Sequence, residues 1–158
     1  MNADRHVMEH FPACLDRAAS DQLIARIETG FDELGYGLWA LELRATGEFL
    51  GFTGLTPASV EAHFTPAVEV GWRLARRAWG QGYATEAALA SLAFGFGDAG
   101  LGEIVSFTSA ANVRSRAVME RIGMARDPAE DFDHPGLPAE HRLRRHVLYR
   151  VSADDWAR

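Results

Sequence analysis

Residues 77–82 read Arg77-Ala78-Trp79-Gly80-Gln81-Gly82, a basic turn carrying two glycines two positions apart. A strand-like run precedes it, in which Val70, Trp72 and Leu74 alternate with Glu69, Gly71 and Arg73. A helix-period segment follows from Tyr83, with Ala84, Ala87, Ala88, Leu92 and Phe96 as inward positions. Strand, glycine turn and helix in that order leave the first backbone N–H groups of the helix without partners and aimed into the turn. A diphosphate would accept those hydrogen bonds at the positive end of the helix dipole. Gly80 and Gly82 permit positive φ and let the backbone come close to the anion. Two other phosphate motifs fit poorly. A P-loop needs a Gly-Lys pair, which the chain lacks. A dinucleotide fingerprint needs a third glycine where Thr85 stands and a turn tight against the strand end.

The elements that must position this turn can be read in order. Phe11-Pro12 breaks whatever precedes it, and a helix is expected from Asp16 to Leu34. Ser20 or Asp21 is its expected N-cap, and Leu23, Ile24, Ile27 and Phe31 form its apolar face. Leu38–Leu43 and Phe49–Leu55 read as a hairpin joined by Ala45-Thr46-Gly47, with Gly51 and Gly54 marking a bulge or a close backbone approach. The helix after the glycine turn should stop in Gly95-Phe96-Gly97-Asp98-Ala99-Gly100. Glu103–Thr108 is a β-branched run expected as a buried strand. A helix then spans Val113–Ile122, with Val118, Met119 and Ile122 inward and Gly123 at its end. The proline-rich, charged stretch 125–143 reads as an irregular loop, and Arg145–Val151 returns to strand character.

Composition bounds the function. A length of 158 residues predicts a single domain, 1–158, and 47% hydrophobic content is that of a globular protein. A net charge of −6 argues against non-specific nucleic-acid binding. It leaves room for local basic clusters at Arg73, Arg76 and Arg77 and at Arg114, Arg116 and Arg121. The lone Cys14 cannot form an internal disulfide and fits a reducing compartment. No stretch approaches the roughly 20 apolar residues that a membrane span needs, and Asp4, Arg5, His6 and Glu9 interrupt any leader-like run. The expectation is a cytoplasmic protein. The histidines and carboxylates lack ligand spacing, so no metal is expected.

The stretch EVGWRLARRAWGQGYATEA, together with NVRSRAVMERIGM thirty residues on, resembles the GCN5-related N-acetyltransferase (GNAT) superfamily, and within it the RimJ/RimL-like branch. The resemblance covers about residues 8–158. It implies an α/β (α+β) acyl-CoA N-acyltransferase fold, a mixed, mostly antiparallel twisted sheet splayed at the cofactor site and flanked by helices. Similar proteins begin some twenty or more residues earlier with a strand of the form Arg-Leu-x-Leu-Arg, which is missing here. Either the start is placed too late, or the domain is N-terminally short and manages with an unpaired sheet edge, an association hazard that leaves a homodimer open.

The resemblance also implies an activity, transfer of an acetyl group from acetyl-CoA, as co-substrate, to a primary amine. The acceptor would be a protein N-terminal amine or a small-molecule amine. The pantetheine arm is expected along Trp72, Arg73 and Leu74, and the pyrophosphate on the amides of Arg77, Ala78, Trp79, Gly80, Gln81, Gly82, Tyr83 and Ala84. Asn112 and Ser115 are expected beside the pantetheine arm. Glu69, on the polar face of the strand, is the candidate base and contacts the acceptor. Ser115 is the candidate acid toward the departing thiolate, because the position where many members carry a Tyr is Met119 here. Both have plain alternatives as a solvent-facing glutamate and a helix-entry serine. His134 would line the acceptor site or belong to a surface loop, and Glu130, Asp131 and Asp133 would draw in a cationic acceptor or be merely solvated. The reading from a different class is a non-catalytic acyl-CoA sensor or partner-binding module.

Overall fold

In the computed structural model, which describes residues 1–157, the alternating runs pair as a hairpin of β1, Leu38–Leu43, and β2, Glu48–Pro57. The turn closes with the Thr46 and Gly47 N–H groups both donating to the Leu43 carbonyl. The register shifts between Leu41 and Glu42, which face Gly51 and Phe49, so Leu50 is the extra residue of a bulge. β2 continues antiparallel onto β3, Val68–Leu74. β4, Glu103–Ser109, pairs antiparallel with β6, Arg145–Ser152, which carries the two-residue β5, Phe132–Asp133. The sheet order is β1-β2-β3-β4-β6-β5. β1 is its outer strand at one end, and among the described residues no strand precedes the first helix.

The join between β3 and β4 is the sheet's parallel contact, and it holds at one register pair, Glu69 with Val105. One step further the Ser106 hydroxyl donates to the Val70 carbonyl at 2.9 Å. Beyond Val70 the strands part. This is the splay that the sequence resemblance implied.

Helix α2, Tyr83–Phe96, packs on one face of the sheet and α3, Val113–Arg121, beside it. Leu55, Val70, Ala88, Leu92, Ile104 and Met119 make the core between them. The buried stripe of α2 is Ala88, Ser91, Leu92 and Gly95, at helical spacing. The helix ends at Phe96, capped by Gly97, within the glycine-rich stretch where the stop was expected. Gly95 is the last buried position of the stripe, and a Cβ there would lie 2.6 Å from Ile104 Cδ1, so its small size serves packing. On the opposite face Val60, Phe64, Val105, Phe132 and Leu148 form a second core with edge-on aromatic contacts.

Helix α1, Arg17–Leu34, is capped by Asp16, whose side chain accepts from the Ala19 N–H at 2.8 Å. Ser20 and Asp21, the expected caps, lie inside the first turns, where Asp21 pairs with Arg17 at i,i+4 and Ser20 accepts from Asn2. Gly35, at φ 74°, ends the helix with its N–H on the Phe31 carbonyl. No α1 residue is buried. Ile24, expected inward, is 52% exposed, while Phe31 meets Trp39 edge-on.

The stretch expected as an irregular loop is ordered by pairing. Ala125 exchanges both backbone hydrogen bonds with Arg150, residues Pro128–Glu130 form a 3₁₀ turn, and β5 follows. Its acids are taken by arginines: Glu130 by Arg150, Asp131 by Arg126, and Asp133 by Arg144 and Arg145. They are neither free for a cationic acceptor nor simply solvated. A short helix α4, Ala153–Trp156, capped by Ser152, follows β6.

Gly54 tests the close packing of β1 on β2. Its φ is 153°, and an added Cβ would sit 2.0 Å from the Gly37 carbonyl oxygen. Gly54→Ala is expected to lose about 2 kcal/mol or more of stability, from backbone strain and the clash together. Gly102→Ala, with nothing within 4 Å of an added Cβ, should stay within about 0.5 kcal/mol. Urea unfolding of the two variants, with equal losses in both, would refute the packing argument.

Candidate active site

Where β3 and β4 part, the sheet opens into a cleft of about 1420 Å³ lined by β3, the glycine turn, α2, α3 and α1. Backbone groups alternate along a strand, and Val70 turns its carbonyl toward β4. Trp72 and Leu74 therefore present their N–H and C=O groups on the same side. The Leu74 carbonyl accepts from the Trp79 indole at 2.9 Å. Trp72 is left facing the cleft with no strand beside it. An extended, amide-bearing chain can add there as a strand would.

The turn that follows has the geometry its glycines predict. Residues Arg76–Ala78 form a 3₁₀ turn, and Gly80 and Gly82 take φ of 75° and 85°. The first α2 backbone bond runs from the Glu86 N–H to the Gly82 carbonyl. Gly82 offers no side-chain cap, so the N–H groups of Tyr83, Ala84 and Thr85 have no partner within the helix. Ala78, Trp79, Gly80, Gly82, Tyr83 and Ala84 line the cleft. Arg77 and Gln81 do not. The Arg77 guanidinium is turned to β2, where it pairs with the Glu48 carboxylate and donates to the Phe49 carbonyl at 2.7 Å. Arg114 of α3 lies 4.9 Å from the Trp79 ring centre and brings a cation to the same wall.

Asn112 and Ser115 face the cleft at the start of α3. Asn112 is the helix N-cap: its Oδ1 accepts from the Ser115 N–H, and its Nδ2 donates to Thr108 Oγ1 at 2.9 Å and Ser115 Oγ at 3.0 Å. Both amide protons are thus spent inside the protein. Ser115 Oγ accepts from Asn112, which leaves its own O–H to donate outward. Met119, behind it, is buried.

On the other face of β3, Glu69, Gly71 and Arg73 stand opposite Thr56, Gly54 and Phe52 of β2. Glu69 is half-buried at the cleft, with no cation beside it, and burial pushes its carboxyl up to about 8. Gly71 leaves the floor beside it open, since an added Cβ would meet nothing closer than Glu69 Oε1 at 3.9 Å. His134 is half-buried and lines the same cleft, 5.0 Å ring to ring from His146. Burial holds both imidazoles below their ordinary value. His146 had no motif to mark it in the sequence, nor did Val7, His10 and Phe11, which the N-terminal turns bring to the cleft. Among the described residues no group of histidines, cysteines and carboxylates is placed to hold a metal, and no helix is long and apolar enough to cross a membrane.

Residues 1–125 match the family described as acetyltransferase (GNAT) domain. YkkB of Bacillus subtilis is 36% identical over 124 residues, covering 77% of this chain and 69% of that protein. The FsC-acetyl coenzyme A-N(2)-transacetylase of Aspergillus fumigatus is 32% identical over 128 residues, covering 78% of this chain. The match spans 53% of that relative, about half its length. An acetyltransferase structure from Agrobacterium tumefaciens superposes with a TM-score of 0.70 at 28% identity, over 91% of this chain and 77% of that one.

The Glu69 carboxyl makes stability depend on pH. Its raised value means that the folded chain holds this proton more tightly than the unfolded chain does. The contribution is fully present below the ordinary 4.5 and is lost as pH rises through about 8. Urea unfolding across that window should show wild-type stability falling with pH and Glu69→Gln falling less. Parallel curves would place Glu69 in water.

Proposed function

The chain belongs to the GNAT acetyltransferase family, and on that premise we propose that it moves an acetyl group from acetyl-CoA to a primary amine by direct attack in a ternary complex. The reading places residues 1–158 in one acetyltransferase domain of the RimJ/RimL-like branch. The observation that carries it is the open edge of β3 at Trp72 leading into a glycine turn with three unpartnered helix amides. That pairing suits a ligand with an amide-bearing arm and a diphosphate. Acetyl-CoA supplies the electrophilic thioester carbonyl.

The chain's own residues do the rest. Trp72 aligns the arm through its backbone, the amides of Tyr83 to Thr85 with Gly80 and Gly82 hold the diphosphate, and Arg114 adds charge to that wall. The Arg77 and Gln81 side chains take no part in this arrangement, and Asn112 acts by holding Ser115 in place. An amine of ordinary pKa arrives protonated and must lose that proton before it can attack. Glu69, as carboxylate, takes it directly or through one water. Ser115 donates its O–H toward the departing sulfur. His134 stands on the acceptor side of the same space.

Calorimetric titration with acetyl-CoA, followed by thiol release with a panel of amines, tests the reading. Micromolar binding and thiol release with one amine class support it. Binding with no release from any amine would instead favour an acyl-CoA sensor. Glu69→Gln should lower kcat by roughly 10²–10⁴-fold and remove a rise of kcat/KM with pH that reaches its plateau above the carboxyl's pKa. Ser115→Ala should lower kcat by roughly tenfold, with acetyl-CoA affinity reporting separately on the fold of α3. Full turnover in both variants would remove these two roles.

A further inference from the structure

Among the described residues, one partly buried cation on the cleft wall has no anion. The Arg73 guanidinium lies 4.1 Å from the ring centre of Phe11 and 5.2 Å from that of Phe52. Its polar partner is neutral: Nη1 donates to Asn2 Oδ1 at 3.1 Å. Nε is buried without a hydrogen-bond partner. Among the described residues, carboxylates pair with Arg17, Arg77, Arg126, Arg144, Arg145 and Arg150, but none pairs with Arg73. Burial lowers its pKa to about 10, which still leaves it charged at neutral pH. A desolvated guanidinium is ordinarily matched by a carboxylate or phosphate that accepts from its planar fork.

Its place on the strand says which ligand brings that anion. Arg73 and Glu69 lie on one face of β3, separated by the side-chain-free floor at Gly71 and its partner Gly54. The glycine turn and α2 are built against the opposite face, where Val70 and Leu74 pack. An anion at Arg73 therefore arrives with the molecule that meets Glu69, not with the diphosphate. Four residues of strand separate the two Cα atoms by about 13 Å. A ligand that meets both groups lies across the Gly71 floor between them.

Resting on the acetyltransferase reading, we propose that Arg73 anchors a carboxylate of the amine acceptor. The acceptor is then an amine that itself carries a carboxylate, an amino acid or a short peptide, and not a polyamine. Phe11 and Phe52 flank the guanidinium and keep water from the pair, so the contact discriminates between acceptors with and without the anion.

The test compares 6-aminohexanoate with hexylamine as acceptors, measured by thiol release. Wild type should favour 6-aminohexanoate in kcat/KM by about 30-fold, the scale of a charged hydrogen-bonded contact. In Arg73→Met that ratio should collapse toward one, and Arg73→Lys should restore part of it. A merely structural Arg73 would lower both rates and leave their ratio intact. A second readout needs no chemistry: hexanoate, which cannot react, is titrated calorimetrically into the chain with coenzyme A present. Wild type should bind it and Arg73→Met should not. Equal use of the two amines by wild type, a preference for hexylamine, or unchanged hexanoate binding in the variant would each overturn the proposal. If no amine releases thiol, the acetyltransferase reading fails, and the hexanoate titration still decides Arg73. Should Arg73→Met not fold, the wild-type ratio and wild-type hexanoate binding decide it alone.

Discussion

The parting of β3 from β4 after one register pair is the constraint on which the rest of the structure depends. A sheet edge in the middle of a protein exposes backbone groups that water or another chain must satisfy. Here Ser106 closes the Val70 carbonyl and the Trp79 indole closes the Leu74 carbonyl, so the opening is confined to Trp72 between them. The glycine turn follows Leu74 after the short 3₁₀ turn Arg76–Ala78, and the first amides of α2 are left unpaired beside it. One break in one ladder thus sets a strand edge and a helix terminus next to each other.

The two faces of β3 divide the work. The face with Val70 and Leu74 is sealed by α2, and its packing is close enough that Gly95 has to be a glycine. The face with Glu69 and Arg73 is covered more loosely, by the N-terminal turns and the ordered stretch around β5. There, burial acts on charge: it raises the Glu69 carboxyl and lowers the Arg73 guanidinium, because neither has an opposite charge to offset desolvation. Around β5, by contrast, Arg126 pairs with Asp131 and Arg150 with Glu130. An isolated guanidinium and an isolated carboxyl on one open floor are what the proposed acceptor would meet together.

Local physics made much of this legible. The alternation in 69–74, the glycines of the turn and the β-branched run at 103–108 each state a strand, a positive φ or a buried position without reference to the rest of the chain. The misread elements are those whose local signals were ambiguous. Asp16, Ser20 and Asp21 are all capping residue types, and only the fold shows that Asp16 is the one whose side chain accepts from a first-turn N–H. The stop in 95–100 was legible, but the packing role of Gly95 shows only when Ile104 is set against it. The stretch 125–143 looked irregular because its order comes from ion pairs and a bridge to β6.

The sequence alone determined the glycine turn, the strands and helices around it, and the resemblance to an acetyltransferase, because those rest on residue types at short spacings. Only the tertiary structure decided which charges are paired. Arg77, beside the glycines, was spent on Glu48, and Asn112 was spent on capping α3. Arg73 was left without an anion because its neighbours at contact distance are Phe11, Phe52 and Asn2, residues far from it in the chain. Whether a charge is satisfied depends on what folding brings within a few ångströms of it, and no spacing along the chain records that.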